Sequence, residues 1–252
     1  MSYIRFEKHN GTGVLYLARS EKLNAIDERF MDELQRFLDT VEGSNIRALI
    51  VTNADSDVFA SGGDIGYFLT LNTANDARMM AYRMHVLLNR FEELEIPTVC
   101  AINGSAIGGG AELAVAFDIR FMRNDSFIQF KEKQIGVTTG WGGTYRLVRL
   151  VGYSTALKLL LSAEKVDAKT AIRIGLVDEI YDRDVLLKKA LEFCETFSDD
   201  DLRLVRYIKR LARQSMFLER DSYMELERRL FSESWMFGKR EEMMKRFVKK
   251  ER

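Results

Sequence analysis

The chain has 252 residues, 46% hydrophobic and 30% charged, which excludes a disordered segment or a membrane bundle and fits one large domain or a domain with an appendage. Basic and acidic residues number 38 each, so the formal charge is zero, which argues against general nucleic-acid affinity. Two cysteines (Cys100, Cys194) and two histidines (His9, His85) make neither a disulfide framework nor a zinc ligand set, and leave little for a Cys/His or Ser/His hydrolase. Chemistry must therefore rest on carboxylates, lysines, hydroxyls or backbone amides.

Met1 to Tyr16 lacks the charged-then-apolar pattern of a signal peptide, and no apolar run approaches the roughly 20 residues of a membrane helix, so a cytoplasmic protein is expected. Tyr3 to Lys8 and Gly13 to Leu17 predict a hairpin turning at His9-Asn10-Gly11. Phe30, Leu34, Phe37, Leu38 and Val41 have helical spacing, with Asp27 as N-cap and Gly43 as stop. Ile46 to Thr52 reads as a buried strand, Arg78 to Leu94 as an amphipathic helix, and Thr98 to Asn103 as the next buried strand. A helix from about Gly108 to Phe117 and a strand from Asp118 to Met122 follow. This alternation predicts an α/β core with parallel strands. Beyond Asp199 only charged helical segments remain, so we expect a core over 1–197 and a helical C-terminal region over 198–252. From Arg203 to Arg252 there are 15 basic and 8 acidic residues, a surplus of +7, leaving −7 for the rest. That surplus reads either as a solvated helical surface or as a site for a phosphorylated ligand.

Three segments carry candidate chemistry. In Ala101 to Arg120 (AINGSAIGGGAELAVAFDIR) a buried strand leads through Gly108-Gly109-Gly110 into a helix bearing Glu112. Glycines at such a turn admit close backbone approach, and the first amides of a helix are free to meet negative charge. Alone, the triplet reads as tight packing; Glu112, one turn on, gives the segment a chemical group. In Phe59 to Ile65 (FASGGDI) a second glycine turn presents further amides, and two amides converging on one carbonyl oxygen would stabilise an enolate. In Phe130 to Leu147, Glu132 stands between Lys131 and Lys133, ahead of Gly140-Trp141-Gly142-Gly143; by itself it reads as a solvated charge. Trp141, Phe68 and Tyr145 read as core or as the wall of an acyl pocket, Cys100 and Cys194 as inert buried thiols, and His85 as a surface or packing residue.

Taken in order, these segments resemble the crotonase (enoyl-CoA hydratase/isomerase) family over essentially the whole chain. The glycine-triplet segment is similar to the family signature. FASGGDI resembles its first oxyanion loop, GVTTGWGGTYRLVRLVG its third motif, KLNAI at Lys22 to Ile26 its early coenzyme A contact, and AIRIGLVDEI the segment that closes the core. The resemblance implies a spiral of ββα units followed by a helical oligomerisation region, trimers or dimers of trimers, an acyl-CoA thioester as substrate, and no separate cofactor or metal. Residue by residue, it implies that the amides of Gly63 and Gly109 hold the thioester oxygen. Glu112 would activate water and Glu132, 20 positions later, would protonate the α-carbon. The Gly140 amide would help hold the water. Lys22 and Ala25, with Asp64, Ile65 and Trp141 beside the acyl-CoA and Phe247 and Lys250 from the tail, would make binding contacts.

The function implied is hydration of a 2-enoyl-CoA to a 3-hydroxyacyl-CoA, and the residue types suit it. Two amides store charge on the carbonyl oxygen, one carboxylate takes a proton from water and a carboxylic acid delivers one. Two features depart from the hydratase pattern: Lys131 and Lys133 flank the second glutamate, and Thr138-Thr139 replaces an apolar-proline pair. SFIQFKEKQIG followed by GWGG also resembles acyl-CoA decarboxylases of the superfamily, which carry another residue at the place of Glu132. A malonyl-type decarboxylase or a double-bond isomerase is therefore the alternative, with an RNA-binding relative or a silent scaffold more remote.

Overall fold

The computed structural model describes residues 2–54, 56–197, 202–237 and 244–245. Strands β2 (Thr12–Leu17), β3 (Ala48–Asn53) and β5 (Thr98–Ile102) are buried at every position. Their Val- and Ile-rich, non-alternating sequences suit a sheet covered on both faces. The hairpin from β1 (Ile4–His9) into β2 turns at Asn10 and Gly11, both at positive φ, as a two-residue turn between twisted strands requires.

The chain then repeats a strand–strand–helix unit. β3 is followed by β4 (Val58–Ala60) and the helices α2 (Ile65–Phe68) and α3 (Ala74–Glu93). β5 is followed by β6 (Ser105–Ile107) and α4 (Gly109–Ala114), and β7 (Ile119–Arg123) by β8 (Phe127–Gln129), a 3₁₀ turn over Glu132–Ile135 and α5 (Gly143–Val151). The first strand of each pair joins a six-stranded sheet ordered β1-β2-β3-β5-β7-β10, where β10 is Glu179–Tyr181. The second joins a four-stranded sheet ordered β4-β6-β8-β9, where β9 is Val166–Asp167. Pairing is parallel except for β1–β2 and β8–β9. The repeat places the ends of β4, β6 and β8, where the glycine turns and Glu132 occur, side by side.

Helix ends follow local chemistry. Between β1–β2 and β3, α1 (Glu28–Val41) is capped by Asp27, whose carboxylate accepts from the Phe30 N–H. α3 begins four residues before the predicted Arg78, because Thr73 and Asp76 form a reciprocal capping box. α4 stops at Ala114 rather than Phe117, and Asp118 then accepts from the Thr98 N–H and hydroxyl at 2.7 and 2.8 Å, fixing the return into β7. The helices α6 (Tyr153–Ser162), α7 (Ala168–Arg173) and α8 (Arg183–Glu195) complete this part of the chain. Cys100 and Cys194 are buried free thiols whose pKa values burial raises.

By contacts the chain divides into two units, 1–94 with 98–196, and 95–97 with 197–252. In the second, α9 (Leu202–Gln214) has no buried residue, Lys209 donates to the Ile96 carbonyl at 2.9 Å, and Tyr207 reaches Glu233 from α10 (Arg220–Trp235). Among the described residues no helix is long and apolar enough to cross a membrane.

Candidate active site

The two glycine turns meet first through their backbones. Gly63 forms a parallel bridge with Ile26: the Ile26 N–H donates to the Gly62 carbonyl at 2.8 Å, and the Asp64 N–H to the Ile26 carbonyl at 2.9 Å. Ile26 thus takes the groups on either side of Gly63 and leaves the Gly63 N–H facing away from it. Gly109 opens α4, where the first amides have no intrahelical acceptor. Neither N–H donates to a backbone carbonyl among the described turn and loop residues. Both positions require glycine for space. A Cβ on Gly63 would lie 2.0 Å from the Phe68 ring, and one on Gly109 would lie 2.2 Å from the Trp141 ring. A Cβ on Gly62 would come within 2.9 Å of the Gly109 nitrogen, so the turns are in contact.

Glu112, on α4, is 2% exposed. Its carboxylate accepts three backbone N–H groups: Gly140 to Oε1 at 3.1 Å, and Trp141 and Gly143 to Oε2, each at 2.8 Å. Burial raises its pKa, and the three amides oppose that rise. Glu132 is 8% exposed; neither carboxyl oxygen makes a hydrogen bond of good geometry, and the carboxyl faces that of Glu112 closely enough to interact with it. Desolvation first, and the Glu112 charge second, push its pKa up to about 7. Read alone in the sequence, Glu132 is a solvated charge; the fold buries it and directs Lys133 outward to the Leu161 carbonyl. One carboxyl is therefore anchored by three N–H groups, and the other is buried facing that carboxyl.

A cavity of about 850 Å³ collects ten of the twelve site residues expected from the sequence: Lys22, Ala25, Gly63, Asp64, Ile65, Gly109, Glu112, Glu132, Gly140 and Trp141. The other two, Phe247 and Lys250, lie outside the described residues. The Gly140 amide, expected to hold water, is used by Glu112 itself. Phe68 and Trp141 line the cavity, and the Trp141 indole N–H contacts the Met80 sulfur at 3.2 Å. Tyr145 does not line it; that ring is exposed beneath Arg149. The ring of His85 sits beside Gly142, and partial burial with the Arg146 charge lowers its pKa.

Sequence reading missed two buried arginines that hold the site's loops. Arg146 donates to the Trp141 carbonyl and to Asn89, each at 2.8 Å, and pairs with Glu92, which fixes the loop that grips Glu112. Arg19 donates to the Ala25 carbonyl at 2.7 Å and pairs with Asp27 at 2.9 Å and Asp64 at 3.0 Å. Arg146 lies within the GVTTGWGGTYRLVRLVG segment but was not singled out there, and Arg19 lies in no quoted motif. The only cue for Arg19 was its place between a buried strand and the KLNAI segment.

A spiral of ββα units with two glycine turns and two buried carboxyls on one cavity defines a crotonase-superfamily enzyme. The enoyl-CoA hydratase/isomerase family model matches residues 7–252, and the chain belongs to that family. The chain is 34% identical to ethylmalonyl-CoA decarboxylase of Rattus norvegicus over 233 residues, covering 91% of this chain and 78% of that protein. Among solved structures, it is similar to an enoyl-CoA hydratase from Bacillus anthracis, with TM-score 0.91 and 26% identity over 98% of this chain and 96% of that one. It is also similar to an enoyl-CoA hydratase from Thermoplasma volcanium, with TM-score 0.87 and 28% identity over 94% of each chain.

Proposed function

We propose that the protein binds an acyl-CoA thioester and adds water across a 2-enoyl-CoA to give a 3-hydroxyacyl-CoA. The observation that carries this reading is the unequal pair of carboxyls on one cavity: Glu112 held by three amides, Glu132 buried against it without such anchors. In this reading the Gly63 and Gly109 amides hold the thioester oxygen. Glu112 takes a proton from water as its oxygen bonds to C3, and the π electrons move onto the thioester as an enolate. Glu132 then gives its proton to C2. A carboxyl raised to about 7 retains the proton that this step needs near neutral pH.

The match to a decarboxylase across 91% of the chain favours a second reading. There the C–C bond to a malonyl-type carboxylate breaks, its electron pair enters the same enolate, and Glu132 protonates the α-carbon. A substrate carboxylate would then face Glu112, and like charges oppose one another. The family resemblance implies another residue at position 132 in the decarboxylases, and on that implication the carboxyl here gives hydration the first place. The test is purified protein with crotonyl-CoA, followed by loss of enoyl-thioester absorbance and by mass spectrometry of the product. Flat absorbance alongside carbon dioxide release from ethylmalonyl-CoA reverses the order.

A further inference from the structure

We infer that Arg19 is a positioning residue that couples occupancy of the Lys22–Ala25 segment to the placement of the Gly63 amide. The inference rests on the acyl-CoA reading above, since it takes that segment as the contact for the nucleotide end of the substrate. Arg19 does not line the cavity, so it acts through other groups. Its guanidinium, 6% exposed at the residue level, reaches one acceptor on each of three structures: the Ala25 carbonyl in the binding segment, Asp27 at the cap of α1, and Asp64 immediately after Gly63. Arg19 Nε is buried without a partner, so the fork is committed to these three acceptors at the cost of one donor.

The backbone makes the same connection. The Arg19 N–H donates to Asn24 Oδ1 at 2.9 Å, while Asn24 Nδ2 donates to the Phe59 carbonyl at 2.9 Å. The Ser61 N–H donates to the Leu23 carbonyl at 3.0 Å, and Ile26 brackets Gly63 from both sides. Asp64 is held at both ends, its carboxylate on Arg19 and on the Tyr67 N–H that begins α2. A displacement of Ala25 therefore reaches Asp64 through a single planar group and reaches Gly63 through Ile26. Remote binding energy raises turnover only when such a connection delivers it to the reacting centre.

The test is Arg19→Lys, which keeps the charge but cannot make the three-way fork. Turnover of a full coenzyme A thioester is compared with that of the matching N-acetylcysteamine thioester, which lacks the nucleotide, and folding is checked by thermal melting. We expect kcat on the full thioester to fall about tenfold or more with KM little changed, and the short thioester to lose far less, because small misplacements at a reacting centre carry large rate penalties. Equal losses on both substrates, or none, overturn the inference. A second measurement needs no turnover. Free coenzyme A should slow amide hydrogen exchange over residues 61–66 in the wild-type protein and not in Arg19→Lys. Equal protection in both, or none in either, overturns the coupling. Wild-type protein that turns over neither thioester overturns the proposed reaction instead.

Discussion

Substituting Glu132→Gln separates the cost of the charge from the cost of the side chain. Both Glu132 oxygens are buried without a well-formed hydrogen bond, and burial with the neighbouring Glu112 carboxyl moves the pKa from 4.5 to about 7. Between those values the folded protein keeps a proton that the unfolded chain has released. Ionisation of this group therefore opposes folding: the penalty is absent below the unfolded value, grows through the window and is complete above about 7. Integrated from pH 5 to pH 9, it amounts to about 2–3 kcal/mol. Glutamine has the same shape and no charge, so it avoids that penalty while leaving its own amide as poorly partnered as the protonated acid. The stability of Glu132→Gln relative to wild type should therefore rise by about 2–3 kcal/mol between pH 5 and pH 9, or about 5–10 °C in melting temperature at the upper end. Urea unfolding of both proteins at the two pH values measures it. A difference that does not change with pH refutes the reasoning, because it would mean the carboxyl is as well solvated in the fold as in the unfolded chain. Turnover should fall about 10²–10⁴-fold in the same variant, so stability and activity move in opposite directions.

Glu112→Gln should reduce turnover by a similar factor of about 10²–10⁴, since an amide cannot take a proton from water, while affinity for free coenzyme A changes less than about threefold by calorimetry. A glutamine carbonyl can accept from Trp141 and Gly143, but its NH₂ then confronts the Gly140 N–H. The logarithm of kcat/KM should decline above about pH 7 as Glu132 loses the proton it donates; a flat profile through about pH 9 removes it as the acid. Gly110→Ala should destabilise by about 1–3 kcal/mol or more in thermal or urea melts, because its Cβ would lie 2.0 Å from the Ala60 carbonyl oxygen, and backbone cannot turn aside. Gly109→Ala meets the Trp141 ring instead, so combining it with Trp141→Ala should cost less melting temperature than the two single losses added together.

Long elements were legible because their signals are local and repeated. α1 and its Asp27 cap, the buried strands β2, β3 and β5, and the Asn10-Gly11 turn all come from periodicity or turn chemistry within a few residues. The four-stranded sheet was not legible. β4, β6 and β8 have three residues each, too few for any alternation to register, and they pair across separations that no local pattern encodes. Glu112 could be singled out from the glycines before it, whereas Glu132 between two lysines reads as solvent-facing until β8 and the 3₁₀ turn carry it inward. The family resemblance supplied that position; residue chemistry alone did not.

The two arginines that the sequence left unmarked explain why the unequal carboxyl pair can persist. A buried acid beside a second acid relaxes by moving toward solvent unless its surroundings are held. Arg146 fixes the Trp141 carbonyl, and with it the loop whose N–H groups fix Glu112. Arg19 fixes Asp64 and Ala25 on either side of the Gly63 bridge. Glu112 cannot swing away to relieve Glu132 without abandoning three N–H groups in a buried setting, each worth about 1.5–3 kcal/mol to a charged acceptor. The strain of the pair is therefore left on Glu132, which answers by holding its proton. On this argument, loosening the Arg146 loop should lower the Glu132 pKa toward its ordinary value before it unfolds anything, so Arg146→Gln should shift the descending limb of the kcat/KM profile to lower pH. A limb that stays in place while turnover falls would show that the anchoring of Glu112 does not set the proton affinity of Glu132.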